Sequence, residues 1–350
     1  MIKYIFNKLL YSLLVLFGVV TIIFFLFNVM PADPAKMMLG NRDNAKQLEL
    51  LNSKYHFDKP IHKQYFYYLK DLSPLSIHCN SPIYPSYLSF PLTDNCYLVL
   101  KWPYLRTSFY QKNILVSQLI YNAFLNTLVL SITAIIFSLI FGIPLGILAA
   151  LFKDRFLDKF ISFFSILGMS LPSFLAAVLI GYIFAYKLHW LTNLDITGSL
   201  FIVSDIGNGQ ELSLKNLILP TLTLGIRPIG VIVNLTRTAL IDELNADYIY
   251  LVRSKGFNMR YVVLKHALQN SLSSIVTAAS GWFAGMLSGA VFIEYIFGWN
   301  GLGKLLVDGL ISMDFPLVMG VILVIATCFI IINILVDLIY LWLDPRVEIN

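Results

Sequence analysis

Residues 9–30 read LLYSLLVLFGVVTIIFFLFNVM, a run with no formal charge. As a helix rising about 1.5 Å per residue, it is long enough to cross a hydrocarbon core of roughly 30 Å. A secretory signal would have a shorter apolar core and end at a small-residue cleavage site. This run ends in bulky residues and continues as MPADPAK, so it reads as a retained anchor. The rest of the chain has the same character. Of 350 residues, 58% are hydrophobic and 13% charged, and the mean hydropathy is +0.75. Soluble domains carry about a quarter charged residues, so this is an integral membrane protein.

Five more apolar segments follow: 118–152, 160–186, 216–240, 271–293 and 315–343. The expected fold is therefore all-α, with six membrane-spanning helices. Basic residues mark alternate connections: Lys3 and Lys8 before the first span, Lys153, Arg155 and Lys159 after the second, and Arg253, Lys255, Arg260 and Lys265 after the fourth. Such residues favour the cytoplasmic side, which places both termini in the cytoplasm and the long segment 31–117 outside. That segment carries many Lys and Arg, but loops longer than about 60 residues cross largely regardless of charge. The expected parts are an anchor at 1–30, the outer segment, a five-helix core at 118–343 and a cytoplasmic tail at 344–350.

FGWNGLGKLL, Phe297 to Leu306, imitates a phosphate-binding loop, with Gly298, Gly303 and Lys304 in register. Leu305 stands where the pattern needs a hydroxyl, no strand is expected before it, and the topology puts it outside the cell. It reads instead as a glycine-rich outer turn leading into the last span. The outer segment is polar and helix-capable up to Lys70. From Leu72 to Pro103 it is rich in Pro, Ser, Asn and Tyr, which favours turns and extended chain. Cys79 and Cys96 lie there. A disulfide, two free thiols, or a metal site with His78 are the alternatives; a bridge would stabilise by about 3 kcal/mol in the chain-entropy model. Cys328, inside the last span, reads as a small core residue.

No carboxylate pair, histidine cluster or nucleophile–base set suggests catalysis, and no cofactor or metal site is expected. The spans are poor in charge, whereas an ion-driven carrier needs intramembrane relay groups. Arg227 stands out, flanked by Pro220, Gly225, Pro228 and Gly230. It either lines a translocation path and meets a substrate carboxylate, or caps backbone carbonyls freed by the prolines. Gly281, Gly285 and Gly289 recur every four residues, a spacing that lets another helix approach closely. Asp337 lies near the cytoplasmic end of the last span.

The longest inner connection, 241–270, reads IDELNADYIYLVRSKGFNMRYVVLKHALQN. Leu244, Tyr248 and Leu251 predict one face of a helix. Asp242, Glu243 and Asp247 lie in its first half and Arg253 and Lys255 at its end, as the helix dipole favours. Gly256 sits where a left-handed C-cap is expected. A second amphipathic piece runs from Met259 to Leu268. The unit reads as a protein-docking surface; the alternative is a helix lying on lipid headgroups.

Asp247-Tyr248, Arg253-Ser254-Lys255-Gly256 and His266-Ala267-Leu268-Gln269-Asn270 together resemble the signature loop of inner-membrane permeases of ATP-binding-cassette importers, in the dipeptide, oligopeptide and nickel branch. The likeness extends to VMPADPA after the first span, FGIPLGILAALFKDRFLDKF and SLPSFLAAVLIGY, the run VFIEYIFGWNGLGKLLVDGLISMDFP, and ILVDLIYLWLDPR at the C-terminus. Ala32, Val252, Ser254 and Ser274 depart from the pattern, and residues 73–103 look like an insertion. The resemblance implies a non-catalytic subunit in the membrane of a bacterial cell. Its partners would be a second permease, two cytoplasmic ATPases and an external solute-binding protein, with no nucleic acid among them. Asp247, Tyr248, Arg253, Lys255 and Gly256 would couple to the ATPases. Short peptides are the expected cargo, with nickel or another small solute as alternatives.

Overall fold

The computed structural model describes residues 2–29, 49, 52–53, 56–79, 88–93, 96–111, 114–203 and 209–343. Helix α1 spans Ile2–Val29 and α2 Ile61–Leu72. Strands β1 Leu75–Cys79, β2 Leu88–Thr93 and β3 Cys96–Leu100 follow. Next come α3 Val116–Leu151, α4 Phe156–Ser170 and α5 Ser173–Ile180, the last continuing as a π-helical stretch, Gly181–Lys187. A small hairpin, β4 Phe201–Val203 and β5 Gln210–Leu212, leads into α6 Lys215–Leu244. Helices α7 Asp247–Ser254, α8 Met259–Tyr261 and α9 Leu268–Gly289 follow, with a π-helical stretch Val262–Ala267 joining α8 to α9 without a break. The chain ends with α10 Val291–Ile296, α11 Leu302–Ile311 and α12 Phe315–Leu343.

Of the six spans expected, α1, α3, α6 and α12 are single helices long and apolar enough to cross a membrane. The third is broken: α4 and α5 meet at 109°. The cause is local. Pro172 pushes the residue before it out of the helical region, and Leu171 has ψ 127°. The fifth, α9, has the length but a polar face containing Ser273, Ser274, Thr277 and Ser280, so it does not reach the hydropathy of the others. By contrast α6 runs unbroken through Pro220 and Pro228.

The chain divides into two compact units. In the first, residues 1–12, 123–304 and 325–350, α6 is the centre. Its buried residues Leu219, Leu224, Ile232, Val233 and Leu240 meet α3, α4 and α9. Close approach depends on absent side chains. A Cβ at Gly146 of α3 would lie 2.5 Å from Thr236 Cβ, and one at Gly230 would lie 2.4 Å from the Ser165 carbonyl oxygen. Both lie below any real contact, so these helices pack backbone to side chain with no spare methyl group.

The second unit comprises residues 13–122 and 305–324. Its core gathers Phe24 and Phe27 of α1, Tyr68 of α2, Phe109, and Phe315 and Val318 of α12. Burial is the main cause that pushes the Tyr68 phenol up to about 12. Arg106 donates to Asp71 at 3.0 Å. Asp314 accepts from the Ser108 hydroxyl and from the amides of Phe109 at 3.0 Å and Tyr110 at 3.3 Å. This pins residues 108–110 to the start of α12.

Within 72–103 the extended chain forms an antiparallel sheet in the order β1-β3-β2. Its register shifts between Pro91 and Thr93, as a residue without an N–H requires. Cys79 is paired across the strands with Cys96. The cysteine side chains lie outside the described residues. Facing positions on neighbouring strands suit a bridge, so a thiol-reactive mass tag should label them in intact spheroplasts only after reduction. Labelling without reductant rejects the bridge.

Candidate functional site: the coupling unit, the outer latch and Arg227

The part of the connection 241–270 before Gly256, expected as one helix, is shared between two. Helix α6 carries on through Leu244, turns at Asn245 and Ala246, and a new helix begins at Asp247. Leu244, Tyr248 and Leu251 therefore do not share one buried face. Ile249 is fully buried and Val252 half-buried, packed with Val262, Val263, Ala267 and Leu240, whereas Leu251 is 62% exposed. Asp242 and Glu243 belong to the end of α6, where the helix dipole disfavours acids. Glu243 finds partners instead. The Tyr248 hydroxyl donates to its carboxylate, and Asn270 donates to Tyr248 Oη at 2.9 Å and to Glu243 Oε2 at 3.4 Å. Partial burial, and then Glu243, raise the Tyr248 phenol above its ordinary value. This clasp ties α6, α7 and α9 together.

Asp247 opens α7, Arg253 lies in its last turn and Lys255 follows as the C-cap. Gly256 has φ 83° and donates its N–H to the Arg253 carbonyl at 2.9 Å. An L-residue is strained at that φ, which accounts for glycine here. The outer surface of the unit carries Tyr250, Leu251, Phe257 and Leu264, all exposed, with Arg253 and Lys255 among them. Apolar side chains ringed by basic ones fit a protein groove. Sequence reasoning named Glu243 as an acid of the first helix and Asn270 as part of the signature run, and did not bring the two together. Asn270 closes the signature run, and that was the available signal.

The glycine-rich outer turn is organised around one carboxylate. Glu294 of α10 is fully buried. It accepts from the Thr127 hydroxyl at 2.7 Å and from the amides of Gly303 at 2.6 Å and Lys304 at 3.3 Å. Thr127 in turn accepts from the Leu302 amide at 2.8 Å. Trp299, also fully buried, donates from its indole to the Asn126 carbonyl at 3.0 Å. The amide nest that a phosphate would fill in a nucleotide-binding loop is thus occupied by the chain's own side chain. There is no slack in it: a Cβ at Gly303 would lie 2.4 Å from Val291 Cα and 2.9 Å from Glu294 Oε2. The resemblance to a phosphate loop comes from close packing around Glu294.

Arg227 lies on α6, exposed, with its guanidinium 5.8 Å from the ring of Trp282 on α9. It donates to no backbone carbonyl among the described residues, so the carbonyl-capping alternative has no support there. A second arginine of α6, Arg237, was passed over by the sequence reading. It forms a fork with Asp158, both contacts at 2.6 Å, and Asp158 also accepts the Asp154 amide at 2.9 Å. Asp337 pairs with Lys8. Added Cβ atoms at Gly281 and Gly285 would meet nothing within 4 Å among the described residues. The side-chain surroundings of Gly289 lie outside the described residues.

Comparison with known proteins bears on this arrangement. Residues 142–349 match the family described as binding-protein-dependent transport system inner membrane component, and residues 1–131 match the N-terminal region of such components. The dipeptide transport system permease protein DppB of Alkalihalophilus pseudofirmus is 30% identical over 99% of this chain and 100% of its own length. The glutathione transport system permease protein GsiC of Salmonella choleraesuis is 30% identical over 99% of each. In fold, the chain is similar to an inward-facing structure of the MetNI methionine ABC transporter. The TM-score is 0.54 at 16% identity, covering 65% of this chain and 97% of that one. With both family regions matched and relatives aligned from end to end, the chain belongs to the binding-protein-dependent transport system inner membrane components, as a permease of an ATP-binding-cassette importer.

Proposed function

We propose that this permease carries peptides inward across a bacterial inner membrane, crossing it six times with both termini in the cytoplasm. It pairs with a second permease, and two ATPases dock on the unit formed by α7 and the residues up to Asn270. Asp247, Tyr248, Arg253, Lys255 and Gly256 form the contact, and an external solute-binding protein delivers the cargo. The observation that carries this reading is the exposed apolar and basic surface of the coupling unit, held to two long helices by the Glu243–Tyr248–Asn270 clasp. The peptide cargo is supported by the names of the relatives, a dipeptide and a glutathione permease.

A mild-detergent pull-down of the tagged chain, with mass spectrometry of what co-purifies, tests the assembly. A second permease and ATPase subunits are the expected companions. A chain that comes out alone or as a homo-oligomer, under conditions that keep complexes intact, rejects it.

A further inference from the structure

We infer that Arg227 is the point in the membrane path where a carboxylate of the passing solute is held. The inference deepens the importer reading above and rests on it. Position comes first. Along α6, Arg227 stands about 18 Å from Lys215 and about 15 Å from Arg237. That is midway between the two polar ends of the helix, and too deep for a lipid phosphate to reach in a core roughly 30 Å thick. An exposed arginine at that depth is costly unless water or a counter-charge meets it.

Among the described residues no such counter-charge meets it. Asp158 is engaged by Arg237, Asp337 by Lys8, and Asp242 and Glu243 lie at the far end of α6. No hydrogen bond or ion pair to Arg227 exists among the described residues. The surroundings are also wrong for lipid. Thr238 is exposed and Asn234 half-buried on the same side of α6, and Ser274 and Thr277 are exposed on α9. A polar face on two packed helices lines water. The Trp282 ring steadies the guanidinium. Its planar fork matches a carboxylate in two-point contact, which a lysine cannot reproduce.

The test uses the complete transporter in nanodiscs, with Cys328 replaced by serine and Thr277→Cys introduced. Reaction rates are compared for an anionic ethylsulfonate and a cationic trimethylammonium methanethiosulfonate, as the increment over the chain lacking Thr277→Cys. With Arg227 present the anionic reagent is favoured. Arg227→Gln should lower the anionic-to-cationic ratio about two- to tenfold, the range for a unit charge roughly 10 Å away at intermediate screening. Arg227→Lys should keep most of it. Excess trialanine should slow the anionic reaction and trialanine amide should not, an asymmetry lost in Arg227→Gln.

A ratio unchanged by Arg227→Gln means that an acid of the partner subunit already neutralises the charge, and overturns the inference. So does a Thr277→Cys that neither reagent reaches while the ATPases still co-purify; the importer reading then stands and this face is covered. Equal protection by both peptides, or none by either, rejects the carboxylate. Absence of the ATPases would remove the importer reading itself.

Discussion

Glu294→Ala is expected to cost on the order of 3–5 kcal/mol of stability, a large share of the roughly 5–15 kcal/mol that holds a protein folded. The substitution removes a fully buried carboxylate. It leaves the Thr127 hydroxyl and the Gly303 and Lys304 amides without their acceptor. It also opens a cavity. The melting temperature in mild detergent, followed through fluorescence of the buried Trp299, should fall by about 5–10 °C. Gly303→Ala should behave alike, because its methyl group would displace the same carboxylate. An unchanged melting point for Glu294→Ala would show that the outer turn is held by something else.

The same carboxylate should make the turn sensitive to pH. Burial is the largest influence on it and pushes its pKa from the ordinary 4.5 to about 7, with Thr127 and the two amides pulling the other way. A carboxyl raised on folding contributes stability that is complete below its unfolded value and is lost as pH climbs through its folded one. The window therefore runs from about pH 4.5 to about pH 7. The melting temperature should fall across it, and Glu294→Gln should flatten the dependence. A melting temperature that rises with pH would mean that the three donors outweigh burial.

Gly256→Pro is expected to reduce uptake at least tenfold while ATP hydrolysis continues. Proline needs φ near −65°, whereas the chain has φ 83° here, and proline also lacks the N–H given to the Arg253 carbonyl. A Cβ at this glycine meets no neighbour, so the damage is confined to backbone conformation. Gly256→Ala, strained by about 1–2 kcal/mol, should be milder. The tagged Gly256→Pro chain should still insert and still bring down the ATPases, which separates uncoupling from misfolding. Transport at the unaltered rate would show that α7 is not the docking helix.

The membrane-crossing runs were legible because bilayer thickness translates directly into apolar length, and α1, α3, α6 and α12 obey that rule. The break between α4 and α5 was also written in the chain, at Leu171-Pro172, but two apolar halves read as one span when only hydropathy is followed. In the connection 241–270, the four-residue step from Leu244 to Tyr248 joined positions from two helices. The restart at Asp247 has no apolar marker, and a face assigned across it lost its meaning. Glu294 falls one residue past the fifth apolar segment, 271–293, and no local pattern marks it. Its partners lie at Thr127 and Gly303, distances along the chain that local reading cannot bridge. The glycines of the outer turn were noticed for a resemblance to phosphate loops, and the same physics of convergent amides explains them with a different anion.

The uninterrupted helix from Met259 to Gly289 is a rod roughly 45 Å long. Its Met259 end follows α7, and its Gly289 end stops one residue short of α10, which carries Glu294. If such a rod pivots near its middle, a tilt of about 5° moves each end by about 2 Å, in opposite directions. That is more than the contacts around Glu294 can stretch without breaking. A small displacement delivered at the Met259 end would therefore be felt at the Gly289 end as a snapped hydrogen-bond set. The wider π-helical turns at Val262–Ala267, near the Met259 end of the rod, are the place where part of the stroke could be absorbed before it travels.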